Sequence, residues 1–362
     1  MMGEASPSVG VSITVLAASP DDPAISACDH AVIGDARDVD AIERLSDEVD
    51  VITFDHELVD LDHLAQLELR GVVVRPSASS LRFAVDKAFQ RQALNDAGIP
   101  VPRFVVVDSS SDPHVSDFLD TLDGPPVLKA ARGGYDGRGV LFPANRVEAA
   151  AMIDQLSTTG EVLIEEHLDL LSEVAQLVVR GVDGSIELYP LVTTVQSDGM
   201  CVEVRLPADV SAQLKDDAAA LGVKIATLIG VVGILAIELF VTTAGLVINE
   251  VALRPHNSGH WTIEGAVTSQ FANHLRAVSG QPLGDTSPTQ NFAVMVNLVG
   301  GDKPSSLEAA RSVSGAFVHD YAKSWRPGRK LGHVTAFGDD AQLAHVTAWK
   351  SARAYGTKTR ET

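Results

Sequence analysis

The stretch Gly233-Ile-Leu-Ala-Ile-Glu238-Leu-Phe-Val-Thr-Thr-Ala-Gly-Leu246-Val-Ile-Asn249-Glu250, continued by Val-Ala-Leu-Arg254-Pro-His256-Asn257-Ser-Gly-His260-Trp261, decides how the chain is read. Two apolar runs flank a Thr-Thr-Ala-Gly turn, the pattern of adjacent antiparallel strands. Each run carries an acid inside it, Glu238 in the first and Asn249-Glu250 in the second. A buried carboxylate without a partner costs several kcal/mol or shifts its pKa. A shared cation is the simplest partner, and hard oxygen ligands suit magnesium brought in with the phosphates of a nucleotide.

Just beyond these strands, Arg254, His256 and Asn257 put a guanidinium, an imidazole and an amide together. That set suits a small planar oxyanion, with donors placed where negative charge develops. Ser258 lacks the strand-to-helix elbow that exposes a nucleophile. Upstream, Lys129 closes the apolar run Pro126-Val-Leu-Lys129 and leads into Arg132-Gly-Gly134-Tyr135-Asp136-Gly137-Arg138-Gly139. Glycines allow backbone N–H groups to approach phosphate oxygens. The loop matches neither the Walker nor the dinucleotide spacing, so an ordinary surface turn stays open.

Glu165-Glu166-His167-Leu168 ends another apolar run, with Glu173 shortly after. It reads either as a solvated acidic strand end or as a nucleotide site, where backbone groups meet the adenine edge and a carboxylate takes the ribose hydroxyls. Lys323, Arg326, Arg329 and Lys330 form the dense basic cluster. They are either a solvated loop or the holder of a phosphate monoester, aimed by the Pro327-Gly328 turn.

The 362 residues suggest two or three domains. A composition of 45% hydrophobic and 21% charged residues is that of a globular chain with ample core material. The formal net charge of −20 argues against nucleic-acid and anionic-membrane partners, so an anionic substrate needs a local basic site. Two cysteines, Cys28 and Cys201, are too few for a disulfide framework or a structural zinc site, and a reducing cytoplasm is expected. Met1-Met-Gly-Glu4 offers neither the basic nor the apolar part of a secretory leader. The apolar stretch from Ile225 to Val241 contains Thr227, Gly230, Gly233 and Glu238, and reads as a helix end running into a buried strand.

The first ninety or so residues alternate β and α: strands at Val11–Leu16, Val49–Phe54 and Gly71–Val74, helices at Asp40–Asp47 and Leu61–Leu69. That is a parallel α/β signature. One long helix is predicted from Ser80 to Gly98, stopped by Gly98-Ile-Pro100. Mixed elements follow, including a helix over Ala208–Ile229 and a strand over Phe292–Leu298. No internal repeat or low-complexity linker separates the parts, so three closely packed domains are expected, at 1–90, 91–275 and 276–362.

Taken in order, the strings RGGYDGRG, INEVALRPHNSGHWT, TSQFANHLRAV and RPGRKLGHV resemble the ATP-grasp superfamily, and within it the 5-(carboxyamino)imidazole ribonucleotide synthase family, from about Ser12 to Gly338. The resemblance implies an ATP-grasp fold, mixing α/β and α+β, with a parallel α/β pre-ATP-grasp domain and a small C-terminal domain. It implies ATP-dependent joining of bicarbonate to the amine of aminoimidazole ribonucleotide through carboxyphosphate, in de novo purine biosynthesis, with ATP and Mg2+ as cofactors and a homodimer as the assembly. By the same resemblance Glu238 and Glu250 hold magnesium, with Asn249 beside them. Lys87 and Lys129 meet the ATP phosphates, and Gly134 to Gly137 close over them. Glu165, Glu166, His167, Leu168 and Glu173 take adenine and ribose. Arg254, His256 and Asn257 form the bicarbonate and carboxyphosphate pocket, Tyr135 and Asp136 meet the imidazole, and Lys323 and Arg329 bind the ribonucleotide phosphate.

Two departures stand out. Gln196 occupies a nucleotide-side position where many relatives have histidine. Relatives also open with a strand and a GGGQLGRM-type loop, whereas this chain begins almost at the second strand, so its pre-ATP-grasp domain is expected to lack the first strand. A start placed too late and a weakened or inactive protein are both open explanations. So are a formate-dependent glycinamide ribonucleotide transformylase and a nucleotide-binding pseudoenzyme.

Overall fold

The computed structural model describes residues 1–133, 139–197, 199–302 and 306–357. Gly134, Tyr135, Asp136 and Gly137 lie outside the described residues.

The N-terminal part begins with helix α1 (Met2–Val9), which the sequence did not signal, and continues with strands β1 (Thr14–Ala17) and β2 (His30–Ile33). These two pair in parallel as a sheet of their own. Helices α2 (Val39–Ser46) and α3 (Leu61–Leu69) stand where the pattern places them. Each is capped by an aspartate, Asp38 or Asp60, that accepts from the first-turn backbone. The strands expected at Val49–Phe54 and Gly71–Val74 shrink to a single parallel bridge, Ile52 to Val74. A two-stranded contact is marginal without further strands beside it, and among the described residues no ladder joins this bridge to the β1–β2 pair.

The long helix predicted over Ser80–Gly98 is two helices, α4 (Ala78–Val85) and α5 (Lys87–Asp96). Asp86 breaks it: its backbone is extended, at φ −123° and ψ 94°, and its carboxylate accepts from Phe89 N to cap α5. The same buried carboxylate accepts from Arg132 Nη2 at 2.7 Å, while Lys87 N donates to Ala131 O at 2.8 Å. The break therefore pins the start of α5 to the end of the Lys129 strand.

A four-stranded sheet follows, in the order β3 (Phe104–Val107), β6 (Val162–Glu165), β4 (Val127–Ala130), β5 (Val140–Leu141). Helices α6 (Pro113–Leu119) and α7 (Arg146–Ser157) belong to the same unit, and Val115, Leu119 and Ile153 pack against Leu128 and Ile164 in its core.

The largest sheet has nine strands. They are β7 (Ser172–Arg180), β8 (Ile186–Leu188), β9 (Val192–Ser197), β10 (Met200–Leu206), β11 (Gly233–Thr242), β12 (Gly245–Ala252), β13 (Phe292–Val299), β14 (Ala316–Asp320) and β15 (Lys330–Gly338). Its path runs β12-β11-β7-β9-β10-β13-β15-β14, with β8 on β7, so the sheet passes without a break through the boundary expected at 275/276. Helices α8 (Ala212–Ile229), α9 (Thr262–Gly265), α10 (Gln270–Val278), α11 (Leu307–Arg311) and α12 (Ala341–Tyr355) complete the chain. On β11 the alternation is strict: Leu235, Ile237, Leu239 and Val241 join the core beneath α8 and the N-terminal helices, while Ile234 and Ala236 join the core around Trp261. Glu238 falls on the second face by that period.

Candidate functional site

The sequence predicts Glu238 and Glu250 on neighbouring strands, and the register places them opposite each other on one rung of the β11–β12 ladder. The ladder then slips, with Leu239 facing Ile248, so Asn249 is an extra residue in β12. A bulge of this kind turns two successive side chains towards one side. Ile248 and Val251 both stay in the core, and Asn249 and Glu250 both turn to the Glu238 side. Asn249 Nδ2 donates to Glu238 Oε2 at 3.3 Å, and Lys129 Nζ donates to Asn249 Oδ1 at 3.3 Å.

The two carboxyls are driven apart. Burial, and then the charge of Glu250, push Glu238 up to about 8. Burial also works against the Glu250 charge, but Lys87, whose Nζ lies 2.5 Å from Glu250 Oε2, outweighs it and holds that carboxyl at about 2. Among the described residues no group of three or more His, Cys, Asp or Glu is placed to hold a metal ion by itself. Two facing carboxylates and an amide are instead a partial set of hard oxygen donors, and they fit a divalent cation that brings phosphate oxygens of its own.

Behind them sits a buried ion network. Glu165 accepts from Arg91 Nε at 2.5 Å and pairs with Lys129 Nζ at 2.7 Å. Burial opposes the Glu165 charge, yet Lys129 and Arg91 together hold its carboxyl below the ordinary range. Arg91 also donates to Ile248 O and Asn249 O, at 3.0 and 2.8 Å, and so ties the bulge to the end of β6. The carboxylate of Glu165 is thus committed to two cations, and only its backbone remains for a nucleotide. Glu166 is similarly engaged, accepting from Arg103 N and Nε at 2.8 and 2.7 Å. Glu173 keeps its carboxyl towards the cleft, raised by burial and hydrogen-bonded to Gln196.

On the other side, Glu57 grips Arg254: Oε2 accepts from Arg254 Nε at 2.5 Å while Oε1 accepts from Leu253 N. His256 is held neutral, pushed down to about 3 by burial and then by the Arg254 charge. Ser258 N donates to its Nδ1, which assigns the remaining proton to Nε2, 3.5 Å from Glu238 Oε1. Gln270, fully buried, accepts from His256 N and donates to His256 O, both at 2.8 Å. Gly259 leaves room for this clamp, since a Cβ there would lie 2.5 Å from Gln270 Oε1. Asn257 exchanges amide hydrogen bonds with Asn297 of β13.

In the basic segment, Lys323 Nζ sits 5.2 Å from the Tyr321 ring centroid, and Arg329 Nη1 donates to Ser324 O and Oγ. Every predicted site residue that falls in the described segments lines one open cleft of about 3330 Å³, from Lys87 and His167 to Lys323 and Lys330. The residues that sequence reasoning missed are Arg91, Glu57, Gln270 and Asn297. An arginine on the buried side of α5 between Ala88 and Leu94 is the one readable signal among them.

A carboxylate pair, two lysines and the Arg254-His256-Asn257 turn, in a cleft lined by a four-stranded sheet and a nine-stranded antiparallel sheet, define an ATP-grasp enzyme. Three family descriptions match in chain order: the Ribonucleotide synthetase preATP-grasp domain over 1–85, the ATP-grasp domain over 92–271, and the Phosphoribosylaminoimidazole carboxylase C-terminal domain over 293–350. The N5-carboxyaminoimidazole ribonucleotide synthase of Mycobacterium tuberculosis (H37Rv) is 43% identical over 358 residues, 95% of this chain and 82% of its own length. The Corynebacterium ammoniagenes enzyme of the same name is 41% identical, over 96% and 87%. The Thermus thermophilus N5-carboxyaminoimidazole ribonucleotide synthetase structure superposes with a TM-score of 0.90 at 33% identity, covering 100% of this chain and 97% of that one. The chain belongs to the N5-carboxyaminoimidazole ribonucleotide synthase family.

Proposed function

We infer that this protein carboxylates 5-aminoimidazole ribonucleotide with bicarbonate, converting ATP to ADP and phosphate by way of carboxyphosphate, in purine biosynthesis. One observation carries the reading: a single cleft joins the Glu238/Glu250 pair, the Arg254-His256-Asn257 turn and the Lys323–Lys330 segment. Nucleotide, oxyanion and ribonucleotide phosphate then have adjoining places. The Aspergillus clavatus N5-carboxyaminoimidazole synthase structure, in complex with ADP and 5-aminoimidazole ribonucleotide, supports it at a TM-score of 0.89 and 28% identity. The glycinamide ribonucleotide transformylase reading falls away with the family.

In this reading the protein positions reactants and stabilises charge. Lys87 and Lys129 face the phosphates, Glu166 to Leu168 offer backbone to adenine, and Glu173 takes the ribose. Glu238 and Glu250 would hold magnesium, which when bound offsets charge on the transferring phosphoryl group. Arg254, neutral His256 and Asn257 orient bicarbonate for attack on the γ-phosphate and hold the carboxyphosphate that results. Carboxyphosphate breaks its C–O bond to the phosphoryl oxygen, giving carbon dioxide and phosphate. The amine of the ribonucleotide adds the carbon dioxide and gives up a proton, with Lys323 and Arg329 on its phosphate and Tyr135 and Asp136 at its ring. The protein works as a homodimer in the cytoplasm. Among the described residues no helix is long and apolar enough to cross a membrane.

The test is ADP release by the purified chain with ATP, magnesium and bicarbonate, with and without the ribonucleotide. Stimulation with matching carboxylated product is expected. A folded sample that gives neither is a pseudoenzyme, and the reading fails.

A further inference from the structure

Asn257 lines the cleft together with Arg254 and His256, yet half of its amide is already occupied. Its Nδ2 donates to Asn297 Oδ1 at 2.9 Å, and its Oδ1 accepts from Asn297 Nδ2 at 2.8 Å. A primary amide has two N–H donors and two acceptor lone pairs, so this exchange takes one of each and leaves one of each. Asn297 is 1% exposed, which removes water as a competitor. Its second N–H goes to Cys201 O at 2.9 Å.

That last bond decides the direction of the whole chain of contacts. A peptide carbonyl can only accept, so Cys201 O fixes which end of the Asn297 amide is nitrogen. The Asn297 amide in turn fixes which end of Asn257 is nitrogen. Neither side chain can turn over without placing two acceptors or two donors face to face, and in a buried site that leaves polar groups unpaired. The two partners come from different parts of the fold: Asn257 follows β12, whereas Asn297 lies on β13, beside His333 of β15.

We propose that Asn297 is a positioning residue that presents the Asn257 amide to the oxyanion in one orientation, so that carboxyphosphate is held long enough to meet the ribonucleotide. The proposal rests on the function inferred above. With Asn257 free to turn over, the pocket would lose a directed donor beside Arg254 and His256. The activated carboxyl group would then go to water, and ATP would be consumed without product.

The experiment compares Asn297→Ala, Asn257→Ala and the double variant, measuring ADP and carboxylated ribonucleotide together. Loss of one directed hydrogen bond to a charged group predicts about tenfold more ADP per product for Asn297→Ala and a bicarbonate KM about tenfold higher, with the ATP KM within about twofold of wild type. The double variant should match Asn257→Ala, since Asn297 acts through that amide. If the alanine fails to fold, Asn297→Asp keeps the volume, removes both donors and should uncouple in the same way. Additive effects, or an unchanged ratio of ADP to product, overturn the proposal. If wild type gives no carboxylated product, the inferred function fails separately. Hydrogen exchange of the Asn257 side-chain amide then decides the positioning claim: slow in wild type and fast in Asn297→Ala supports it, and equal rates overturn it.

Discussion

Glu238 and Glu250 face each other on one rung of β11–β12, and they titrate at opposite ends of the carboxyl range, at about 8 and about 2. The difference comes from who reaches them first. Lys87, placed by the break at Asp86, is bonded to Glu250, whereas among the described residues Glu238 is hydrogen-bonded to the Asn249 amide and lies 3.5 Å from neutral His256. One carboxylate is balanced from within the protein and the other is left for a ligand.

Stability of the ligand-free protein should record this. Glu238 has a folded pKa of about 8, above its unfolded value of about 4.3. Between those values the folded state holds a proton that the unfolded state has released, so the stability present at low pH is lost as pH rises through this window. Glu250 shifts the other way and acts only below about 4.3. The melting temperature should fall between pH 5.5 and 8, with a contribution of up to about 1.4 kcal/mol per pH unit. Glu238→Gln should flatten the slope in thermal melts, and identical slopes would contradict the assigned shift.

Glu250→Ala should abolish most turnover while leaving the fold standing. The side chain is only part-buried, and its loss removes the partner of Lys87 together with half of the carboxylate pair. A drop in kcat of roughly a hundredfold or more is expected, the scale seen when one preorganised charged group is lost. ADP release beside a melting curve decides it: full activity would remove Glu250 from the site, and a collapsed melt would make it structural.

Much of this was readable in the sequence. The strands on either side of Thr-Thr-Ala-Gly announce themselves by apolar runs, and the charged residues in and beyond them all reach the cleft. The bulge at Asn249 was not readable, because pairing register is set by the backbone of two strands rather than by composition. Nor was the break at Asp86, where a cap hides inside an unbroken helical pattern and is stabilised by Arg132, 46 residues on. The N-terminal strands failed for a related reason: apolar runs such as Val49–Phe54 show where a strand is possible, and neighbours decide whether a ladder forms. Arg91, Asn297 and Glu57 act on partners 74, 40 and 197 residues away, separations over which no local pattern operates.

Arg91→Met tests the buried network. The change leaves Glu165 with Lys129 alone and strips the donors from Ile248 O and Asn249 O. Breaking a buried pair from one side costs about 3–5 kcal/mol, because the remaining charge is left uncompensated. The urea midpoint should fall accordingly. Arg91→Lys keeps the charge but not the planar fork, so it should recover only part of the loss. A midpoint within error of wild type for Arg91→Met would show that the network contributes nothing to folding.

Glu57→Gln asks whether the N-terminal part takes part in the chemistry. Glu57 lies on the loop after Phe54, and its two oxygens hold Leu253 N and Arg254 Nε. Glutamine keeps one acceptor for the backbone N–H but loses the charge that fixes the guanidinium, and a charged hydrogen bond of this kind contributes about 1.5–3 kcal/mol. Arg254 would then swing in the cleft, and His256, whose low pKa owes a share to the Arg254 charge, would rise towards its ordinary value. The expected result is a bicarbonate KM raised about tenfold or more, with melting temperature little changed because both partners are part-exposed. Equal bicarbonate kinetics in the two proteins would mean that Arg254 is held well enough by the turn itself, and that the loop bearing Glu57 only packs.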